Sequence, residues 1–377
     1  MTIYAGRTRG IGLKGTLMTF FQSSNMGISA TDTQNLFFSQ QLASHSPTAM
    51  LSALEQFLLQ VSLHQESDQC DGEYQNWLHL QYQYMPKYLQ TLMTLPSEYE
   101  YSAYLNILAD CCRMLELTRM RCILGTPSGQ MLRKYEFVET RLTLQTFKEL
   151  VWMIRGRYQT QTFRSAQAAR RREVNVRSQE YRQYVNTLFE KNDRLIVIRV
   201  DLGYSAEQAG KIDFEMASDD IDRLLANRRW NKLFDHQKGY IIKTEFGIEK
   251  GIHFHALFFF NGSERNGSSH VHLAQKIGDY WKEVITHGRG IYWNSNAQIN
   301  DFVRLGSCGI GLIHWRDEKL RQNLLDHVLG YFFKEQQFFK PKGTGKYKLF
   351  RKGQYSSRET KKLGRPRHRN DAVDRMF

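Results

Sequence analysis

The stretch EFGIEKGIHFHALFFFNG, Glu245–Gly262, carries two histidines into an otherwise apolar run. Side chains alternate between the faces of a strand, so His253 and His255 point the same way. The preceding YIIKTEF, Tyr240–Phe246, is β-branched and aromatic, and Gly-Ile-Glu-Lys-Gly between the two runs has the length and composition of a tight connection, so the whole reads as a β-hairpin. With Ile248, Glu249 and Lys250 as the loop, Gly247 faces Gly251 and Glu245 faces His253. Directly opposed side chains have Cβ atoms about 4.5–5.5 Å apart, so a carboxylate and two imidazoles converge as candidate metal ligands. A slip of one residue would move Glu245 to the opposite face, which makes the turn decisive. The competing reading is a pair of satisfied core or surface histidines.

Outward from the hairpin, RLIVIRVDLGY, Arg194–Tyr204, is a near-continuous β-branched run of the kind found in buried strands. The order from there is strand (194–202), helix (SDDIDRLLANRRWNKLFDHQ), strand (240–246), strand (253–260), helix (VHLAQKIGDYWKEVI), a short strand GIGLIHW and a last long helix, DEKLRQNLLDHVLGYFFKEQQFF. This is an α+β pattern: a central, mainly antiparallel sheet flanked by helices. The first half reads mostly helical, from TDTQNLFFSQQLASH and SPTAMLSALEQFLLQVSLHQ through SEYEYSAYLNILADCCRMLELTRMRCIL to LTLQTFKELVWMIRGRY. We therefore expect a helical domain over 1–178 that ends in a basic connector, a second domain over 179–340, and a basic, flexible tail over 341–377.

The chain has 377 residues and a formal net charge of +14. Much of the excess lies at the end: Phe338–Phe377 holds thirteen Lys or Arg against three acids, a local +10. A second concentration surrounds Arg170, Arg171 and Arg172. Such runs are solvated surface in many proteins, but they are also the electrostatic footprint of a phosphate-backbone binder, and they make DNA the leading partner, with Lys361, Lys362, Arg365 and Arg367 as tail contacts. Five cysteines without a C-x-x-C pair argue against a disulfide framework and against a cysteine zinc site, and fit a reducing cytoplasm. No apolar run approaches membrane-span length, so a soluble protein without a membrane partner is expected.

In the last predicted helix Tyr331 and Lys334 are three apart and hence neighbours, with His327 one turn earlier. A phenol is a poor nucleophile at neutral pH, and an adjacent ammonium favours its phenolate. Other signals are weaker. His270-Val271-His272 sits in a polar loop at a helix start and reads as surface; GTGK in PKGTGKYK lacks the Ser or Thr and the spacing of a phosphate loop. The tail segment KKLGRPRHR is similar to an AT-hook core.

Taken together, His253-Phe254-His255 on a strand, Tyr331-Phe332-Phe333-Lys334 on a later helix and the upstream RVDLGY strand resemble the HUH endonuclease superfamily, with Glu245 in the place of its third metal ligand. Residues 190–365, with HFHALFFFNG, YFFKEQQ and a GRPR-containing tail, look like the replication initiators of filamentous phages and related prophages, the inovirus gene-two type. The resemblance implies a C-terminal HUH-type domain, a divalent metal (Mn²⁺ or Mg²⁺) on Glu245, His253 and His255, and Tyr331 as nucleophile assisted by Lys334. It further implies nicking and rejoining of a DNA strand through a 5′-phosphotyrosine, rolling-circle initiation, and host helicase and polymerase as partners. The alternatives are a catalytically silent prophage DNA-binding or regulatory protein on the same fold, and a mobilisation relaxase.

Overall fold

The computed structural model describes residues 47–63, 72–93, 95, 99–117, 120–123, 134–137, 142–247, 250–333, 339–342 and 348–354. The chain is α+β, with a helical N-terminal region and a mainly antiparallel sheet after it, as the hydrophobic periodicity predicts. The helix expected at 31–45 lies outside the described residues.

The N-terminal region packs α1 (Pro47–Leu63), α2 (Gly72–Met93), α3 (Ala103–Met114) and α4 (Leu144–Gln159) around Leu54, Phe57, Tyr88, Leu108, Phe147 and Ile154. Helix starts follow their caps: Ser102 Oγ accepts from Leu105 N at 3.3 Å and Thr143 Oγ1 from Thr146 N at 3.1 Å. Where the pattern predicts helix through residue 124, the chain instead forms short strands. β1 (Tyr99–Tyr101) pairs with β9 (Phe339–Pro341), and β2 (Met120–Ile123) pairs with β3 (Lys134–Phe137). β-branched and aromatic residues there compete with the helical spacing, and non-local pairing decides the outcome.

A 31-residue helix, α5 (Gln161–Lys191), runs from the helical region onto the sheet, and the expected boundary at 178 falls within it. Its first half is polar; its second half buries Tyr181, Tyr184, Val185, Leu188 and Phe189. Then come β4 (Arg194–Tyr204), α6 (Phe214–Asn227), β5 (Gln237–Gly247), β6 (Gly251–Asn261), α7 (His270–Tyr280), β7 (Gly290–Asn294) and β8 (Gly311–His314). Helix α6 begins earlier than the sequence reading placed it, because Asp213 caps it by accepting from Met216 N at 2.8 Å.

A last strand, β10 (Phe350–Lys352), completes the sheet, whose order is β10-β5-β6-β4-β7 with β8 also on β4, and every pair is antiparallel. Strand β7 has no counterpart in the sequence reading, and neither has β10, which lies within the stretch expected to be a flexible tail. Arg351 anchors β10: its guanidinium donates to Asp222 Oδ1 at 3.0 Å and to Ser218 Oγ at 2.9 Å.

Even-numbered residues of the central strands, including Ile196, Ile198, Phe254, Phe258 and Phe260, face α6, α7 and the π-helical turn Trp281–Ile285. A Cβ on Gly278 would lie 2.2 Å from the Tyr292 ring, so only glycine lets α7 approach β7 this closely. Odd-numbered residues face α5 and the terminal helix. That helix comprises α8 (Glu318–Asn323), a π-helical stretch Leu324–Leu329 and a last turn Gly330–Phe332; it is shorter than the periodicity predicts, because Phe333 has left the helix. No helix among the described residues is long and apolar enough to cross a membrane.

Phe259 is fully buried between β6 and the helices on the odd face. Phe259→Ala should cost about 3–5 kcal/mol in chemical denaturation, as cavity-forming aromatic truncations do. In the helical region, burial raises the Glu55 carboxyl from 4.5 to about 7, against the opposing hydrogen bond from Ser102 and the charge of Arg170. A raised folded-state value means stability present at low pH and lost as pH rises through about 7. Glu55→Gln should therefore raise the thermal midpoint at pH 8 by about 2 °C or more and leave it unchanged at pH 4.

Candidate metal centre

The hairpin register is the one that places the ligands together. Gly247 pairs with Gly251 and Glu245 with His253. Gly251 has φ +62°, the left-handed exit from a three-residue loop. A Cβ there would also press on the Ala209 carbonyl at 3.1 Å.

On the odd face β4, β5 and β6 are apolar at one end, with Leu195, Val197, Ile241, Leu257 and Phe259, and ionisable at the other. The ionisable end holds Arg199 and Asp201 from β4, Lys243 and Glu245 from β5, and His253 and His255 from β6. Donor atoms of Glu245, His253 and His255 all lie within 4.8 Å of one another. Glu245 Oε2 is 2.9 Å from His255 Nε2 and 3.4 Å from His253 Nε2.

The remaining nitrogens are tied back. His255 Nδ1 is 2.8 Å from Asp201 Oδ1, across the β4–β6 pair, and His253 Nδ1 is 3.3 Å from the Gly251 carbonyl. Both partners only accept hydrogen bonds, so each Nδ1 is the donor and Nε2 is the atom left to face Glu245; a cation bound there would take the place of the Nε2 proton of His255. Such outer hydrogen bonds orient histidines for a metal. The residues therefore fit a divalent cation held by one carboxylate and two imidazoles.

The electrostatics are those of a tightly coupled buried cluster. Burial disfavours the charged form of His255, yet Asp201 and Glu245 on either side prevail and push it up to about 9. Burial likewise opposes ionisation of Asp201, but the His255 and Arg199 charges bring it to about 2. Glu245 is held well below the usual carboxylate range: burial opposes this, and His255, His253 and the buried Lys243, whose Nζ pairs with Glu245 Oε1, outweigh it.

Tyr331 joins this cluster. Its ring lies edge-on to His255 with centroids 5.2 Å apart, and the Arg199 guanidinium sits 5.1 Å from its centroid. Burial raises the phenol above its ordinary value; the charges of Glu245 and Asp201 push the same way and Arg199 opposes them. Of the residues singled out from sequence, the structure thus brings Glu245, His253, His255 and Tyr331 together. His327 is exposed, on a different side of the helix from the buried Val328 and Leu329. Arg170, Arg171 and Arg172 are exposed on α5. Lys334, Lys361, Lys362, Arg365 and Arg367 lie outside the described residues. Sequence reading missed Asp201, Arg199 and Lys243; charged residues at alternate positions of otherwise apolar strands were the available signal.

Residues 158–299 match the family model of the YagK/YfjJ C-terminal domain, a family found in prophage-associated proteins. The match runs from the end of α4 to just past β7, so it includes the three ligand residues, Asp201, Arg199 and Lys243, and stops short of Tyr331. Comparison with curated proteins and with solved structures finds no match.

Asp201→Asn should weaken Mn²⁺ binding in calorimetry about 10–100-fold, the usual loss when the group that orients a ligating histidine is changed. His255→Ala should abolish it. An Asp201→Asn variant that binds Mn²⁺ as tightly as the parent would remove Asp201 from the centre.

Proposed function

We propose that this protein is a metal-dependent DNA strand transferase that nicks and rejoins one strand, with Tyr331 as the nucleophile, and that it initiates rolling-circle replication of a prophage-type element. The observation that carries this reading is the packing of the Tyr331 ring against His255, a member of the one group of candidate metal ligands found among the described residues. A nucleophilic side chain beside a Lewis-acid site, on a strongly basic chain, is the arrangement that phosphoryl transfer to a side chain requires.

Glu245, His253 and His255 would hold the cation, with Mn²⁺ or Mg²⁺ as the candidates. When bound, such an ion would supply Lewis-acid polarisation of the scissile phosphate. The chain's own groups do the rest. Tyr331 Oη forms a bond to phosphorus as the bond from phosphorus to the 3′ oxygen breaks. The phenol proton is lost, the departing 3′ oxygen takes up a proton, and the product is a 5′-phosphotyrosine with a free 3′-hydroxyl. One phosphodiester replaces another, so no nucleotide hydrolysis is needed and the reverse attack reseals the strand.

Arg199 has a definite part in this scheme. Burial and two carboxylates keep the phenol protonated at rest, and the guanidinium over the ring is the cation that favours the phenolate. The sequence reading gave that task to Lys334; Arg199 supplies a cation independently of it.

With Mn²⁺ and single-stranded or supercoiled DNA of the encoding element, the parent protein should form a covalent adduct on a denaturing gel. Tyr331→Phe and chelation by EDTA should each abolish it. Retention of DNA without any adduct in the parent would favour the silent DNA-binding protein, and cleavage confined to a transfer-origin sequence would favour the relaxase. Arg199→Met should slow adduct formation about 2–30-fold, the equivalent of roughly 0.5–2 kcal/mol of cation–π interaction.

A further inference from the structure

Consecutive helices α4 and α5 meet at Thr160, whose hydroxyl caps α5 by accepting from Phe163 N at 3.3 Å. Between them opens a cleft of about 1130 Å³, which Ser62 and Leu63 of α1 also line. Its floor is aromatic: Tyr158 and Phe163 stack with centroids 4.9 Å apart, and Tyr104 stands edge-on to them at 5.1 and 5.3 Å. Arg164, Arg171 and Arg172 line the α5 side and Arg155 and Trp152 the α4 side, and among the described residues no carboxylate lines the cleft.

Three features have no explanation in the packing of the described residues. Trp152 leaves 64% of its surface in water at the cleft wall. Arg155 is only 6% exposed; one Nη donates to Tyr74 Oη at 2.6 Å, but its Nε has no hydrogen-bond partner. The Tyr158 hydroxyl, on a residue 3% exposed, has none either. Both of these atoms lie beneath the cleft surface, so the groups that face an occupant are the exposed Trp152 and the arginines of α5. Four guanidinium groups around a cleft that no carboxylate lines select an anion, and an exposed indole in the same lining as three further aromatic rings selects flat π faces.

We propose that this cleft holds single-stranded DNA, with bases stacked on Trp152 and the aromatic floor and phosphates paired with Arg164, Arg171 and Arg172. Base faces are hidden inside a duplex and available in a single strand, which is why the stacking groups choose the latter. The proposal rests on the reading of the protein as acting on DNA and adds where a strand is held relative to the chemistry. Arg171 and Tyr181 lie on one helix, about 15 Å apart at about 1.5 Å per residue. Tyr181 contacts Phe333, just beyond Tyr331, with ring centroids 5.3 Å apart. A strand running along α5 from the cleft towards the nucleophile thus covers at least about four to five nucleotides at about 3.4 Å each.

The test uses the full chain carrying Tyr331→Phe, so that binding is read without cleavage. Anisotropy of a labelled oligonucleotide is measured against salt, with Trp152→Ala, the pair Arg171→Gln and Arg172→Gln, and Gly156→Trp added in turn. A Cβ on Gly156 meets nothing within 4 Å, so that last change fills the cleft without removing a contact. Replacing a mid-helix glycine also favours the helix. Each change should weaken single-strand binding at least about tenfold with an unchanged circular dichroism spectrum, and the arginine pair should lower the salt slope by about 1.4. Bromouracil crosslinks should fall on the peptide that contains Trp152. If the parent binds the oligonucleotide and all three variants match it, the cleft is overturned and the DNA reading stands. If the parent binds neither single-stranded nor duplex DNA, both fail. Equal losses on a duplex of the same length would overturn the choice of a single strand, and full crosslink protection by inorganic phosphate or dTMP at the oligonucleotide's concentration would make this a small-anion site instead.

Discussion

The antiparallel register between β5 and β6 is the constraint on which the site depends. With Gly247 opposite Gly251, Glu245 shares a face with His253 and His255, and its carboxylate meets both rings. Any odd shift would send the carboxylate into the apolar layer under α6, where an uncompensated charge is expensive. The loop length and the positive φ at Gly251 fix the register from one end. The long apolar run Leu257–Phe260, buried on both faces, fixes it from the other.

Once the register is set, the ionisable end of the face becomes a closed network rather than a scatter of charges. Asp201 holds His255, Lys243 holds Glu245, and Arg199 reaches between Asp201 and the Tyr331 ring. Buried charges persist in a fold only when paired, and removing one partner leaves its neighbour stranded in low dielectric. The same pairing leaves the Nε2 atoms and one carboxylate oxygen facing each other, the geometry a hard or borderline cation accepts.

The terminal helix supplies the remaining piece through an irregularity. Its π-helical stretch Leu324–Leu329 ends immediately before Gly330 and Tyr331. Such insertions occur frequently at functional sites, because the extra residue re-aims the side chains that follow. Leu324, Val328, Leu329 and Phe332 stay buried against the sheet, while Tyr331 lies at the edge of that stripe, over His255. Helix α5 then ties this face to the N-terminal region, through Arg182 to Asp326 at 2.9 Å on one side and through Phe163, packed on Tyr158 and Tyr104, at its other end.

Much of this was legible in the residues themselves. Alternation in HFHALFFF, the β-branched runs and a three-residue loop between two glycines determined the hairpin, its register and the convergence of Glu245, His253 and His255, because those rules act over a few neighbouring residues. The α+β class followed from the order of periodic segments. Three things were not legible: that Asp201 faces His255, that Arg199 lies over Tyr331, and that the last helix ends at Phe332 after a π-helical stretch. Each depends on which distant strand or helix packs alongside, and pairing between segments far apart in sequence is decided by the burial of whole faces rather than by local pattern. The sequence alone therefore determined the candidate ligands, and the tertiary structure decided what orients and surrounds them.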